Sequence, residues 1–333
     1  MTSRNLNSIK DPFLLRPAAK DYLWGGNRLN EDFSKGLDVS PLAETWECST
    51  NPDGISTVDS GVFCGQDLQS VFQQHPELLG THHKERATLP ILVKLIDAKE
   101  DLSIQVHPDD DYAAINENGK LGKTELWYVL AARQHARLIY GLQYPVDRDT
   151  LRESIRQGTV EKYLQRIPVR KNDIFYVKPG TIHGICAGTL LAEIQENSNL
   201  TYRLYDYDRL DKNGSKRPLH IDKALDVIDY TPTPAPRQPV RYMKYELGCA
   251  SEILCRCRYF QVERLLVNTE CLRSMILFCS DELSFQVFLC VDGCGSIVLE
   301  QETLPFFKGD CFFLPASSAL RLHGNAQILK IVC

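Results

Sequence analysis

The chain has 333 residues, a formal net charge of −5 at pH 7 and 24% charged residues, so no general basic field points to nucleic acid. That length is more than one compact core accommodates, and one large domain with insertions or two domains is expected. The first twenty residues hold Arg4, Lys10, Asp11, Arg16 and Lys20 without an apolar stretch, and no run reaches the ~18 apolar residues of a membrane span; neither a secretory signal nor a membrane anchor is expected, and the expected compartment is the cytoplasm.

Residues 12–64 read as short strands and turns, with a turn at Trp24-Gly25-Gly26. Leu68, Val71, Phe72, Leu78 and Leu79 give a helical period over 66–80, interrupted by Pro76. The apolar run 89–96 predicts a buried strand in which Lys94 stands out. Asp111 is the expected cap of a short helix over 112–116 that stops at Asn118-Gly119. The spacing of Leu151, Ile155, Val160 and Leu164 predicts a helical pair over 147–166, split at Gly158. Strand character returns from Ile174, continues through 190–205, and gives way to a last helix over 219–228.

A pair of fragments stands apart from these elements, Gln105-Val106-His107-Pro108 and Lys178-Pro179-Gly180-Thr181-Ile182-His183. Residues i and i+2 of a strand share a face, so Gln105 and His107 aim together. Glu125 is the one carboxylate in the strand-like run 124–130. Gln105, His107, Glu125 and His183 form a mixed N/O set suited to a divalent first-row metal with room for water or substrate. His75, His82, His83, His135, His220 and His323 have no partner at ligand spacing, and Glu44 and Glu47, which do not alternate, receive no chemistry.

Four prolines in residues 231–239 mark a stiff linker or an edge-hugging connection, and hence a boundary between 1–230 and 240–333. Beyond it, short strand-like runs predict a small antiparallel sandwich or jelly roll. Residues 172–183 are echoed by 309–320, with Ser317 in place of the turn glycine and Leu320 in place of the histidine. Two related jelly rolls, only the first able to bind metal, are therefore expected. Nine of the 12 cysteines lie after residue 248; they are expected to be reduced and buried, and no zinc-finger pairing is present in Cys255-Arg256-Cys257 or Cys290 and Cys294.

Several ordered motifs carry a resemblance: Trp24-Gly25-Gly26-Asn27-Arg28-Leu29, the run 44–49 (ETWECS), 102–109 (LSIQVHPD), 122–128 (GKTELWY), Gly180-Thr181-Ile182-His183 and 201–206 (TYRLYD). Together they resemble the type I mannose-6-phosphate isomerases of the short bacterial kind. The resemblance implies a mainly β double cupin, two jelly-roll barrels with a small helical insertion, and one divalent metal, zinc, per chain. It implies interconversion of mannose 6-phosphate and fructose 6-phosphate, and the same four ligands that spacing gives, Gln105, His107, Glu125 and His183. It also makes Arg203 and Glu193 catalytic candidates, puts Lys123 near the substrate, and puts Ser103, Lys94 and Arg209 around the phosphate. Where the family often has an aspartate this chain has Asn199, which throws more weight on Glu193.

An aldose–ketose step needs a group to move a proton between C2 and C1 and positive charge for the developing oxyanion. Guanidinium stays protonated, so Arg203 is expected to stabilise charge. Glu193, if burial raises its pKa, or Lys123, if burial lowers its own, is expected to carry the proton. The expected partner is thus a small sugar phosphate, with no nucleic acid or membrane partner and no oligomer specifically predicted. Two other functions compete: another metal-dependent cupin enzyme, such as an iron dioxygenase, disfavoured by Gln105 where a His pair would stand and by the phosphate-suited basic residues, and a non-catalytic sugar-phosphate-binding bicupin.

Overall fold

The structure is a computed structural model describing residues 8–211, 213–234, 236, 238, 240–300 and 302–333. It is mainly β, and its strands form three sheets of six, five and ten strands. No helix is long and apolar enough to cross a membrane.

The six-stranded sheet runs in the order Ile174–Val177, Glu125–Ala132, Thr189–Glu196, Ile91–Ala98, Glu44–Cys48 and Ala18–Lys20. Its alternation sorts side chains by chemistry. Leu126, Tyr128, Ala192, Ile194, Val93 and Leu95 face a core shared with the C-terminal sheet. Trp127, Val129, Leu191 and Ile96 face the other way, into a second core. The five-stranded sheet has the order Tyr202–Tyr205, Ile104–Val106, His183–Ile185, Arg137–Leu142 and Leu164–Pro168. Ile104, Val106, Ile139 and Leu204 on it pack against Leu151, Ile155, Ala224 and Leu225 of the helices Arg148–Arg156 and Ile221–Val227. The helical segments therefore cover one face of this sheet.

The ten-stranded sheet gathers the strands after residue 240, but Phe13–Arg16 and Thr57–Val58 complete it, the former pairing with Cys311–Leu314. The hydrogen-bonded sheet thus spans the proline-rich stretch. Residues 235, 237 and 239 of that stretch lie outside the described residues. Its other members hug the N-terminal portion of the chain: Thr233 N–H donates to Leu142 O at 2.9 Å, and Gln238 exchanges two hydrogen bonds with the Ile174 backbone.

The expected helices are shorter than their periodicity. Leu68–Gln74 is α-helical, and Pro76–Leu79 follows as a separate 3₁₀ turn, because proline cannot continue the α ladder. The helix Asp110–Asn116 starts earlier than expected: Asp109, not Asp111, accepts from Tyr112 N–H. The helical pair over 147–166 is split at Gly158 as expected, but after the α-helix Arg148–Arg156 its second member is only a 3₁₀ turn, Val160–Tyr163, and Leu164–Pro168 is already strand. All twelve cysteines are free thiols; contrary to expectation Cys64, Cys271, Cys279 and Cys294 are exposed, while Cys48, Cys186, Cys290 and Cys311 are buried.

Phe313 joins the N-terminal and C-terminal portions of the chain. Its ring meets Phe13 at 5.3 Å, Phe72 at 5.1 Å and Phe285 at 5.0 Å between centroids, and it is fully buried. Phe313→Ala is expected to destabilise the protein by ~3–5 kcal/mol through lost burial and the cavity left behind. Urea unfolding followed by far-UV circular dichroism measures this; a loss below about 1 kcal/mol would mean that the two portions do not depend on this ring.

Candidate functional site

Sheet register brings the site together. His183 lies directly opposite Gln105, and Gln105 lies opposite Arg203 on its other side. Opposed residues of an antiparallel pair share a face, so these three side chains project together. On the six-stranded sheet Glu193 stands opposite Lys94 and Trp127, with Glu125 two residues before Trp127 on the same side. One cleft of ≈ 240 Å³ is lined by Lys94, Ser103, Gln105, Lys123, Glu193 and Arg203, and also by Glu44, Asn199 and Arg217.

Against its lining residues Gln105 and Lys123, His107, Glu125 and His183 are fully or almost fully buried, and they form the one cluster of three potential His/Cys/Asp/Glu ligands among the described residues. His107 Nε2 and His183 Nε2 lie 3.1 Å apart, His183 Nε2 and Glu125 Oε1 3.3 Å, and His107 Nε2 and Glu125 Oε2 3.6 Å. A tetrahedral divalent ion bound at roughly 2.0–2.1 Å spaces its ligand atoms by about 3.3 Å, within the observed spread. His183 Nδ1 is 2.8 Å from Thr181 O. A carbonyl only accepts, so Nδ1 carries the proton and Nε2 offers its lone pair to the cluster.

Burial holds both imidazoles neutral: it pushes His183 down to about 4 and His107 well below its ordinary value, with Lys123 adding to the effect. Burial also raises Glu125, against the pull of Lys123. Lys123 Nζ lies 3.0 Å from Glu125 Oε2, and Oε1 has no hydrogen-bond donor. Two neutral imidazoles and a buried carboxylate with an unsatisfied oxygen, at metal spacing, are the donor set that a divalent cation satisfies. Gln105, beside them on the cleft wall, is the expected fourth ligand.

Above this cluster the charges alternate. Lys123 Nζ is 3.0 Å from Glu125 and 3.8 Å from Glu193; Lys94 Nζ is 3.2 Å from Glu193 and 3.8 Å from Glu44. Burial by itself would raise Glu193, but Lys123 and Lys94, with hydrogen bonds from Lys94 and Trp127, lower it below the ordinary carboxylate range. Glu193 is therefore an ionised carboxylate, and burial does not raise its pKa as the sequence reading required. Burial opposes the charge on Lys94, and Glu44, Glu193 and Glu125 more than offset it. Lys94 Nζ also sits 4.9 Å over the Trp46 ring.

The other end of the cleft is cationic. Arg203 Nε approaches Ser103 Oγ at 3.4 Å, and its Nη1 donates to Pro218 O at 2.9 Å. Arg209 is elsewhere: it lines an adjoining cleft, bound to Asp206 at 2.6 Å and to the Asp101 carbonyl. Asn199, in place of the family's aspartate, lines the main cleft and donates from Nδ2 to Asp53 at 2.9 Å, which brings a carboxylate to its side.

Sequence reasoning passed over Glu44 and Arg217. Glu44 accepts from Trp46 Nε1 at 2.7 Å and faces Lys94; its i, i+2 relation to Trp46 was the available signal. Glu47, on the opposite face, is buried against Lys35 at 2.7 Å, away from the cleft. Arg217 sits in a loop and had no periodic signal.

Comparison with known proteins fits this geometry. Residues 13–131 match the model of the type I phosphomannose isomerase catalytic domain, and residues 252–332 match the mannose-6-phosphate isomerase cupin domain. The mannose-6-phosphate isomerase ManA of Bacillus subtilis is 35% identical over 96% of this chain and 98% of its own length. The chain belongs to the type I phosphomannose isomerase family. A crystal structure of the mannose 6-phosphate isomerase from Bacillus subtilis superposes with a TM-score of 0.86 at 35% identity, covering 96% of this chain and 99% of that one. A zinc-bound mannose 6-phosphate isomerase shares the fold at 14% identity, with a TM-score of 0.75 over 96% of this chain and 98% of that one. The cupin architecture expected from the sequence is that of this isomerase family.

Metal analysis tests the cluster. The purified protein is expected to hold one divalent ion per chain, and His107→Ala, Glu125→Ala and His183→Ala each to lose it while keeping the wild-type circular dichroism spectrum. A His183→Ala variant with undiminished metal content would remove this cluster as the binding site.

Proposed function

We propose that the chain interconverts mannose 6-phosphate and fructose 6-phosphate through a cis-enediol, with the hexose bound in the cleft between the metal cluster and Arg203. One observation carries the reading: a buried Lys–Glu–Lys row and a guanidinium–hydroxyl pair line a single cleft, and a three-ligand metal cluster lies directly against two of its lining residues, Lys123 at 3.0 Å from Glu125 and Gln105 opposite His183. Family membership favours the isomerase over an iron-dependent cupin enzyme or a non-catalytic binding protein.

The proposed holders of the metal are Gln105, His107, Glu125 and His183, and the proposed ion is zinc, whose four-coordinate N/O sites suit this donor set. When bound, a divalent ion supplies polarisation of the substrate oxygens.

The remaining work falls to the chain's own groups. Arg203 and Ser103 are the proposed anchors of the phosphate end; a guanidinium and a hydroxyl together offer charge and directed donors. At the reacting end the proton between C2 and C1 moves on the Glu193–Lys123 pair. Glu193 is ionised and able to accept, and the neighbouring ammonium groups of Lys94 and Lys123 stand where negative charge develops on oxygen. The same neighbours weaken Glu193 as a base, so its hold on the proton is brief and return to either carbon is easy. Trp127 Nε1, donating at 3.0 Å, fixes the carboxylate. The proposed division of labour leaves residues 1–230 with the chemistry and 240–333 with a structural task. A charged sugar phosphate does not cross a bilayer unaided, and the cytoplasm is the proposed compartment.

A coupled assay of fructose 6-phosphate formation tests the activity. Turnover of mannose 6-phosphate is expected to stop on chelation and return with zinc, and to exceed that of free mannose by tens- to hundredfold in kcat/KM. Equal kcat/KM for the two sugars, or full turnover by metal-free protein, refutes the reading. Glu193→Gln is expected to lower kcat by roughly 10²–10⁴-fold with metal content unchanged. If kcat stays near normal, the proton belongs to Lys123.

A further inference from the structure

Arg217 stands on a wall that two clefts share: it lines the site cleft with Arg203 and Ser103, and the adjoining cleft with Asp206 and Arg209. Its guanidinium is held by a fork. Nε donates to Asp206 Oδ2 at 2.8 Å and Nη2 to Oδ1 at 2.5 Å. Asp206 is itself buried, and the same carboxylate takes Nη2 of Arg209 at 2.6 Å.

The two arginines that share Asp206 differ in what remains to them. Arg209 spends Nε on the Asp206 carbonyl, Nη1 on the Asp101 carbonyl and Nη2 on the carboxylate. Arg217 keeps Nη1 without a protein partner among the described residues, and its side chain remains 28% exposed. Its backbone is also fixed against the catalytic strand. The next residue's carbonyl, Pro218 O, accepts from Arg203 Nη1, and His220 N–H donates to Arg203 O at 2.8 Å. Arg203 and Arg217 are thus locked as neighbours with one carboxylate, already shared with Arg209, to balance them. Burial and then Arg217 both lower the pKa of Arg203, the sign of an unrelieved cationic pair. A bound dianion relieves it.

We propose that Arg217 reads the phosphate of the substrate together with Arg203 and Ser103, and that Asp206 is the positioning residue that aims it; Arg209, with its donors spent, only buttresses Asp206. This rests on the isomerase reading above, whose phosphate end it completes. Inorganic phosphate serves as the second probe, because it tests the subsite without the sugar.

Steady-state kinetics on the metal-loaded protein decide the matter. Arg217→Ala is expected to raise KM for mannose 6-phosphate roughly tenfold to a hundredfold, with kcat changed only a few-fold and Ki for inorganic phosphate raised by the same factor as KM. Arg217→Lys recovers some of the loss, because charge is kept and the fork is not. Asp206→Asn gives a smaller rise of the same pattern. Metal content and circular dichroism establish that each variant is folded. A folded Arg217→Ala enzyme with unchanged KM and phosphate Ki, or one in which only kcat falls, overturns the proposal. Should the wild-type protein turn over no mannose 6-phosphate, the isomerase reading fails, and calorimetric titration with inorganic phosphate still separates the two: weaker binding by Arg217→Ala supports the subsite, and equal binding overturns it.

Discussion

The structure turns on a carboxylate that cannot reach water. Glu125 is fully buried, with the Lys123 ammonium 3.0 Å from Oε2 and no donor to Oε1, and a buried charge is among the costliest features a fold can hold unless it is well paired. What makes it tenable is the sign pattern around it. Glu44, Glu125 and Glu193 are three carboxylates set against the ammonium groups of Lys94 and Lys123, with two neutral imidazoles beside them. With every carboxylate ionised that group has an excess of one negative charge. A divalent cation at the cluster reverses the excess, and a cleft that ends in Arg203 then suits an anionic sugar. The metal therefore acts on the electrostatics of the whole cleft as well as on the atoms it touches.

That pattern is inseparable from the packing. The strands that present Lys94, Glu125 and Glu193 on one face bury Val93, Leu95, Leu126, Tyr128, Ala192 and Ile194 on the other, in the core shared with the C-terminal sheet. A slip of one residue in register would exchange the two sets and put charges into the core. Tyr128 adds a polar pin on that outer face, bonded to Asn172 at 2.6 Å and to Gln327 at 2.6 Å. The C-terminal portion thus guards the geometry of a site to which it contributes no lining residue.

How much of this was legible in the sequence depended on the range of each interaction. The i, i+2 relation of Gln105 and His107, the lone Glu125 and the Pro-Gly turn before His183 are local patterns, and the structure brings those residues to one place. The break at Pro76 was equally local. The pairing of Phe13–Arg16 with Cys311–Leu314 was not legible, because nothing in either segment encodes a partner some three hundred residues away. Arg217 was missed for a related reason: its place is set by a fork to Asp206 and by Pro218 bonding Arg203, in a loop with no period to read. Between Asp109 and Asp111 composition could not choose, since both are caps by type and only the chain's entry angle decides.

The echo between residues 172–183 and 309–320 separates what belongs to the fold from what belongs to the chemistry. Gly180 and Ser317 occupy the same point of the repeat, and both adopt left-handed backbone, at φ 83° and 57°. At 180 only glycine fits, since a Cβ there would lie 2.9 Å from the Val227 carbonyl at the end of a covering helix. Ser317 is exposed, so its side chain has room and the cost is the strain of the conformation. Three residues on, His183 meets His107 and Glu125, whereas Leu320 joins an apolar core with Phe288 and Phe312. The turn is thus a way of closing a strand pair, indifferent to metal. Ligand chemistry appears only where the neighbouring strands bring Gln105, His107 and Glu125 to meet it, and there the helix that forces glycine at the turn also packs the five-stranded sheet that carries Gln105 and His183.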